Sequence, residues 1–262
     1  MRYLCFLCAI VFASFPAVAQ DLSSYEWGQV QKDGYTMPYR ILFPLQYDAA
    51  KKYPVLVFLH GAAEKGFDNK AQLNNGGSLF LRDSIRQQYP AIIIFPQCAA
   101  SDSWLYFETE QDSIGNIKRV RFPYKKEPTG TQALLKMLLD SLIVSGKADT
   151  SRMYIGGLSQ GAMGIYDLLA RYPGFFAAAF PICGAGNTSL TKKYAGKTAL
   201  WIFHGEKDPI IDVDYSRTYF KRLQKENADV RYTEYPATGH NCWDKALSEK
   251  DLLPWLFSKK KN

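Results

Sequence analysis

The stretch that decides the fold is Met153-Tyr154-Ile155-Gly156-Gly157-Leu158-Ser159-Gln160-Gly161-Ala162-Met163. A short apolar run ends at two glycines, a serine follows, and a helical pattern begins at once and lasts to Tyr172, just before Pro173. Gly157-Leu158-Ser159-Gln160-Gly161 matches G-x-S-x-G, and its place between strand and helix is the context a nucleophile elbow requires. The chemistry needs glycines there because the turn is too sharp for side chains on both flanks, while the serine takes up strained dihedrals. A helix starting at the serine also aims its first amides at any anion formed beside it. A Gly-rich strand–helix turn without chemistry is the plainer alternative, and it leaves the serine unexplained.

Outward from this motif the same kind of element recurs. Residues 55–59, 91–95, 177–182 and 199–203 are short continuous apolar runs bounded by turn residues, the pattern of strands buried on both faces of a parallel sheet. Residues 230–235 read as a last, less buried strand. Helical patterns alternate with these runs. Leu134, Leu135, Leu138, Leu139, Leu142 and Ile143 form a stripe at helical spacing, with Thr129 or Thr131 near its start and Gly146 at its end. Further helices are expected over 159–172, 215–225 and 245–256. Trp27, Gln29 and Gln31, then Tyr39, Ile41 and Phe43, alternate as a half-buried hairpin turning near Asp33-Gly34. The fold class is α/β, a doubly wound, mostly parallel sheet that begins with an antiparallel hairpin. Residues 98–128 fit no regular element and carry Trp104, Tyr106, Phe107, Phe122 and Tyr124 among charges. Long irregular insertions are uncommon in compact domains, and this aromatic content argues against disorder.

At 262 residues, with 47% apolar and 22% charged residues, the chain suits one soluble domain with a full core. Arg2, an uncharged apolar run over 3–15 and Ala17-Val18-Ala19 predict a signal peptide cut before Gln20, leaving 20–262 as a single domain. The run is too short to span a bilayer. Cys8 lies outside a lipoprotein-type context, so no membrane anchor is expected, and the mature chain is expected to be secreted or periplasmic. The formal charge of +7 falls to +6 without Arg2, and Lys259-Lys260-Lys261 supplies half of that. A solvated tail accounts for such a run, so no nucleic-acid partner is expected. No metal-ligand spacing appears, and no cofactor is expected. The leader would remove Cys5 and Cys8 from the five cysteines, leaving Cys98, Cys183 and Cys242, an odd number that allows either one bridge plus a free thiol or three buried free thiols.

A serine hydroxyl needs a base to take its proton. The histidines are His60, His204 and His240. In elbow enzymes the chain order is serine, acid, histidine. If His204 were the base, the only carboxylate between it and Ser159 would be Asp167, two turns into the wrong helix. His240, in Ala237-Thr238-Gly239-His240-Asn241 after the last strand, is the base by elimination. Asp208, in the loop after 199–203, is the expected acid, with Glu206, Asp212 and Asp214 as rivals. Asp212 is expected to cap the next helix and Glu206 to face solvent. Oxyanion donors are expected from the amide of Gln160 and from Ala62, in His60-Gly61-Ala62-Ala63-Glu64-Lys65-Gly66. His60 reads as a structural histidine shaping that loop.

Taken in order, Leu59-His60-Gly61-Ala62-Ala63-Glu64-Lys65-Gly66, Gly157-Leu158-Ser159-Gln160-Gly161, His204-Gly205-Glu206-Lys207-Asp208 and Gly239-His240-Asn241-Cys242-Trp243-Asp244 resemble a bacterial group of α/β-hydrolases. The group includes phospholipase/carboxylesterases, dienelactone hydrolase-like proteins, and carbohydrate esterases acting on feruloylated or acetylated xylan; some relatives are described as predicted peptidases. The resemblance covers residues 44–255. It implies the α/β-hydrolase fold, a serine esterase with Ser159, Asp208 and His240 as triad, no metal, and Trp243 lining the site beside His240. Ala62 stands where relatives often carry a third glycine, and its methyl group narrows the backbone approach there. Cys183 and Cys242 would sit above the same sheet edge, where a disulfide would brace the histidine loop. Trp104, Tyr106 and Phe107 are candidates for a wall against an aromatic acyl group or a sugar ring. The expected activity is hydrolysis of small or oligosaccharide-linked esters through an acyl-enzyme. A serine peptidase and a non-catalytic carbohydrate-binding or scaffold protein are the alternatives.

Overall fold

The computed structural model describes residues 21–111, 113 and 117–261. The leader expected over 1–19 lies outside them. The described chain forms β1 (Glu26–Lys32), β2 (Tyr35–Leu42), β3 (Tyr53–Leu59), α1 (Gly77–Phe80), α2 (Asp83–Gln88), β4 (Ile92–Pro96), β5 (Glu108–Gln111), β6 (Ile117–Arg121), α3 (Gly130–Val144), β7 (Ala148–Leu158), α4 (Gln160–Arg171), β8 (Ala178–Ile182), β9 (Ala199–Gly205), α5 (Asp214–Lys225), β10 (Val230–Tyr235), α6 (Trp243–Leu247) and α7 (Leu252–Ser258). Eight strands make one sheet in the order β1-β2-β4-β3-β7-β8-β9-β10. β1, β2 and β4 pair antiparallel, and every pairing from β4 through β10 is parallel. This is the expected doubly wound sheet with its N-terminal hairpin. Asp33 and Gly34 both take positive φ, 50° and 79°, the backbone twist that lets a two-residue turn join β1 to β2.

The apolar runs are buried for the expected reason. Each residue of β3, β4, β8 and β9 is buried because helices cover both sheet faces. The strand period of two separates the faces. Val55, Val57 and Leu59 join Leu134, Leu138, Ile165 and Leu169 on the side of α3 and α4. Leu56 and Phe58 join Phe80, Phe180, Leu252 and Trp255 on the other side.

Two expectations change. Residues 245–256 form two short helices, because Pro254 has no N–H to continue a helix arriving from Lys245 and is tolerated only in a first turn, which α7 supplies. The insertion contains regular structure: β5 and β6 pair antiparallel as a separate two-stranded sheet, and β5 is exposed throughout. Glu108-Thr109-Glu110-Gln111 has no apolar alternation, so the sequence offered no strand period to read.

Thr129, not Thr131, caps α3. Its hydroxyl accepts from the Gln132 amide while the Gln132 side chain accepts from the Thr129 amide, a capping box. Thr129→Ala should lower unfolding free energy by about 1 kcal/mol in urea titration without changing the far-UV spectrum. An unchanged midpoint would mean that the box adds nothing.

Candidate active site

Parallel register carries the site residues to one edge. Leu59 is level with Gly157, Gly157 with Pro181, Leu158 with Ile182, Ile182 with Phe203, and Gly205 with Tyr235. The loops leaving the C-terminal ends of β3, β7, β8, β9 and β10 therefore converge, as ligand-binding loops do at the ends of parallel strands.

Ser159 sits in the turn from β7 to α4 with φ 52° and ψ −120°, a conformation that L-residues rarely adopt. Its amide is tied to the Ile182 carbonyl at 2.8 Å, and its carbonyl accepts from Met163 at 3.0 Å. The turn presses on the neighbouring strand. A Cβ on Gly157 would lie 2.6 Å from the Leu59 carbonyl oxygen, and one on Gly161 would overlap that oxygen outright. The motif glycines thus allow α4 to start against the end of β3, and this contact brings the loop of His60 and Gly61 beside the serine. The Cβ position of Gly61 is 3.6 Å from Ser159 Cβ.

Three predicted residues meet in a hydrogen-bonded relay. Ser159 Oγ lies 2.9 Å from His240 Nε2, and His240 Nδ1 lies 2.7 Å from Asp208 Oδ2. The Asp208 side chain has no exposed surface. Burial alone would raise its pKa, yet hydrogen bonds from His204 and His240 and from the amides of Ile211 and Ile210 outweigh burial and hold the carboxyl far below the usual range. Asp208 is therefore a carboxylate that only accepts. His240 Nδ1 donates to it, which leaves Nε2 free to accept the serine proton. The loop carrying His240 is held at its base: Lys207 N donates to the Thr238 carbonyl at 2.8 Å and Ala237 N to Glu206 Oε2 at 2.9 Å. Glu206, expected to face solvent, is half-buried by this contact. Asp212 accepts from the amide of Asp214 just ahead of α5, but the N-cap position there is Val213, with no side chain capping the helix. Asp167 is paired with Arg171 and Gln132, away from the relay.

Sequence reasoning assigned His204 no role, and the structure gives it one. It is fully buried, with Nε2 3.1 Å from Asp208 Oδ2 and 3.0 Å from the Ile211 carbonyl. Nε2 faces two acceptors and so carries the proton, while Nδ1 accepts from Ser216 Oγ at 2.7 Å. His204 fixes the carboxylate that fixes His240; its place four residues before Asp208, at the end of β9, was the available signal. Glu64 was also passed over. It is buried within the loop after β3 and accepts from Asn75 at 3.0 Å, its pKa raised by burial.

His60 behaves as a structural residue. Its Nδ1 donates to the Gly61 carbonyl at 2.6 Å and its Nε2 accepts from the Cys98 amide at 2.9 Å. Trp243 stands edge-on to His240, with ring centroids 5.7 Å apart, and is half-buried. Trp104 requires a correction. It has no exposed surface and cannot line a substrate wall; its indole donates to the His60 carbonyl at 3.0 Å and packs against His60, beneath the loop of Ala62. A large ring that finds a buried acceptor goes inside. Its neighbours Leu105 and Tyr106, with Phe122, Met163, Asn187 and Tyr219, instead line a narrow crevice along α4 of about 10 Å³, room for a single water. Ala62 is exposed and Gln160 begins α4, so the Gln160 amide has no partner within the helix. Cavities of about 370 Å³ open elsewhere, one across the N-terminal ends of β8 and β9 and one beside β1, and neither touches the relay. Cys183, His204 and Asp208 bring three possible metal-ligand atoms within 4.8 Å of one another, but His204 and Asp208 already satisfy each other by hydrogen bonding.

This fold with this relay defines an α/β-hydrolase with a Ser-His-Asp constellation. Comparison with known proteins agrees: the phospholipase/carboxylesterase family model matches residues 45–250, and the chain belongs to that family. Acyl-protein thioesterase 1 of Neurospora crassa is 28% identical over 131 residues, 47% of this chain and 53% of the relative, so the match spans about half of that protein. A thermostable esterase of known crystal structure is 28% identical with a TM-score of 0.80, covering 92% of this chain and 64% of its own. A ferulic acid esterase shares the fold at 16% identity and a TM-score of 0.63, covering 89% and 97%.

The site makes a pH prediction. Burial pushes the His60 pKa down to about 4 from 6.5, against the opposing Gly61 carbonyl. Between those values the unfolded chain binds a proton that the native chain refuses, so stability is full above pH 6.5 and falls as the pH drops toward 4. The loss should be about 3 kcal/mol, readable by urea unfolding at several pH values. His60→Gln should flatten that slope; an equally steep slope in the variant would assign the effect to other groups.

Proposed function

We propose that this protein is a serine carboxylic-ester hydrolase working through an acyl-enzyme. The observation that carries the reading is the relay from Ser159 Oγ through His240 to the buried carboxylate of Asp208, with each link shorter than 3 Å. His240 Nε2 takes the serine proton as Oγ attacks an ester carbonyl, then delivers it to the leaving alkoxide. Asp208 keeps the imidazole in the accepting tautomer and stabilises the imidazolium that forms. The amides of Gln160 and Ala62 receive the developing oxyanion. Water then repeats the sequence and frees the acid. No cofactor enters this chemistry.

The substrate is a small ester, acetyl or feruloyl, borne on a carbohydrate or a simple alcohol. Supporting this are the open position of Ala62 and Trp243 beside the base. The reading includes export, through the leader-like residues 1–19 with cleavage before Gln20, to the periplasm or outside the cell.

Hydrolysis of p-nitrophenyl acetate and methyl ferulate by wild type and Ser159→Ala tests the proposal. The variant should lose about 10³-fold or more in kcat, and Asp208→Asn should lose a comparable factor through the wrong imidazole tautomer. Activity confined to peptides would make the protein a serine peptidase. Ester binding without turnover would make it a scaffold on a hydrolase fold.

A further inference from the structure

The relay leaves two buried nucleophiles unused, and both touch the loop of its base. Cys183 follows β8 directly, in a left-handed conformation with φ 53°, its amide donating to the Phe203 carbonyl at 2.9 Å. Cys242 lies two residues beyond His240, at the head of α6, its amide bonded to the His240 carbonyl at 2.8 Å. Both side chains are fully buried, and their sulfurs face each other 2.7 Å apart. Cys183 Sγ also donates to the His240 carbonyl at 3.0 Å. One thiol is thus anchored on a central strand, the other on the histidine loop, and both bracket the backbone of His240. Cys98, the third described cysteine, lies elsewhere, near Ala99 and Thr131.

We propose that Cys183 and Cys242 form a disulfide that straps the His240 loop to the end of β8, making the pair positioning residues whose redox state sets the turnover rate. The proposal of the strap rests on geometry alone; its effect on rate rests on the esterase reading above. In the reduced chain the loop is held there by a thiol–carbonyl hydrogen bond, among the weaker polar contacts. Oxidation removes that donor hydrogen and replaces the contact with a covalent one. The reaction is thiol–disulfide exchange with an oxidised dithiol oxidoreductase or a small-molecule disulfide. One cysteine thiolate attacks the oxidant's disulfide and forms a mixed disulfide, releasing one of its sulfurs as a thiol. The second cysteine thiolate then displaces the other. Two protons and two electrons leave this chain, and the oxidant becomes a dithiol or, where it is a small-molecule disulfide, two thiols. Mutual contact and burial push the Cys183 thiol far above its ordinary pKa, so exchange belongs to folding, before the loop closes over the sulfurs. Reactive geometry is sensitive to displacements of about 1 Å, so a strap on the residues flanking His240 acts on kcat more than on KM.

The test is made on the full chain after oxidative refolding in a glutathione redox buffer. Denaturation with iodoacetamide before reduction, followed by peptide mapping, should find the Cys183 and Cys242 peptides linked and Cys98 alkylated. The same chain refolded with dithiothreitol in place of the redox buffer should show a kcat on p-nitrophenyl acetate lower by about fivefold or more with KM within twofold, and unfolding it and refolding it oxidatively should restore the rate. The Cys183→Ala/Cys242→Ala variant should turn over at the reduced rate and ignore the reductant. In Ser159→Ala, where no turnover is read, amide hydrogen exchange over residues 236–242 should be slower in the oxidised form. Cys183 and Cys242 both alkylated without reduction would overturn the disulfide. A bond that forms but changes neither kcat nor exchange would overturn its positioning role. A bond that slows exchange in a chain without esterase activity would leave the strap standing and remove the esterase reading.

Discussion

The site depends on one buried negative charge. Asp208 has a fully enclosed side chain, and an isolated carboxylate in such a place would cost several kcal/mol and take up a proton instead. Here it remains ionised because two imidazoles and two backbone amides point at its oxygens. These contacts also orient the groups that make them. The charge selects the tautomer of His240, and His204, held by Ser216, fixes where the charge sits. Losing either imidazole would leave the carboxylate short of donors, so the histidine loop and the end of β9 are coupled through a single oxygen.

A second constraint, steric in origin, places the serine. The end of β3 runs so close to the elbow that Gly157 and Gly161 have no room for a methyl group against the Leu59 carbonyl. The same closeness brings the loop of Ala62 within reach of any carbonyl held at Ser159. Trp104, buried beneath that loop and bonded to the His60 carbonyl, supports it from below. A residue chosen from the sequence as substrate wall is therefore part of the support for the loop of Ala62.

The fold was legible because parallel strands buried on both faces leave continuous apolar runs, and each such run became a strand within two residues at both ends, apart from β7, which starts earlier. That strand reaches back to Ala148 through Asp149, Ser151 and Arg152, whose polarity hides it, and it pairs with Tyr53 through a bulge. The triad residues were legible for a different reason: few histidines follow the serine, and chain order restricts the acid. What stayed hidden were partners whose roles exist only in three dimensions. His204 looked like a failed base, Glu206 like a surface acid and Trp104 like an exposed aromatic. Each is decided by what lies across a strand end, and no spacing along the chain records that.

The central claim is that His240, and no other group, activates Ser159. Labelling with a fluorophosphonate, followed by peptide mapping, measures this directly, because the reagent reports serine nucleophilicity without requiring the natural substrate. The account predicts one adduct on Ser159, formed at a rate that falls about 10³-fold in His240→Ala. A rate unchanged by that substitution, or an adduct on a different residue, would contradict it.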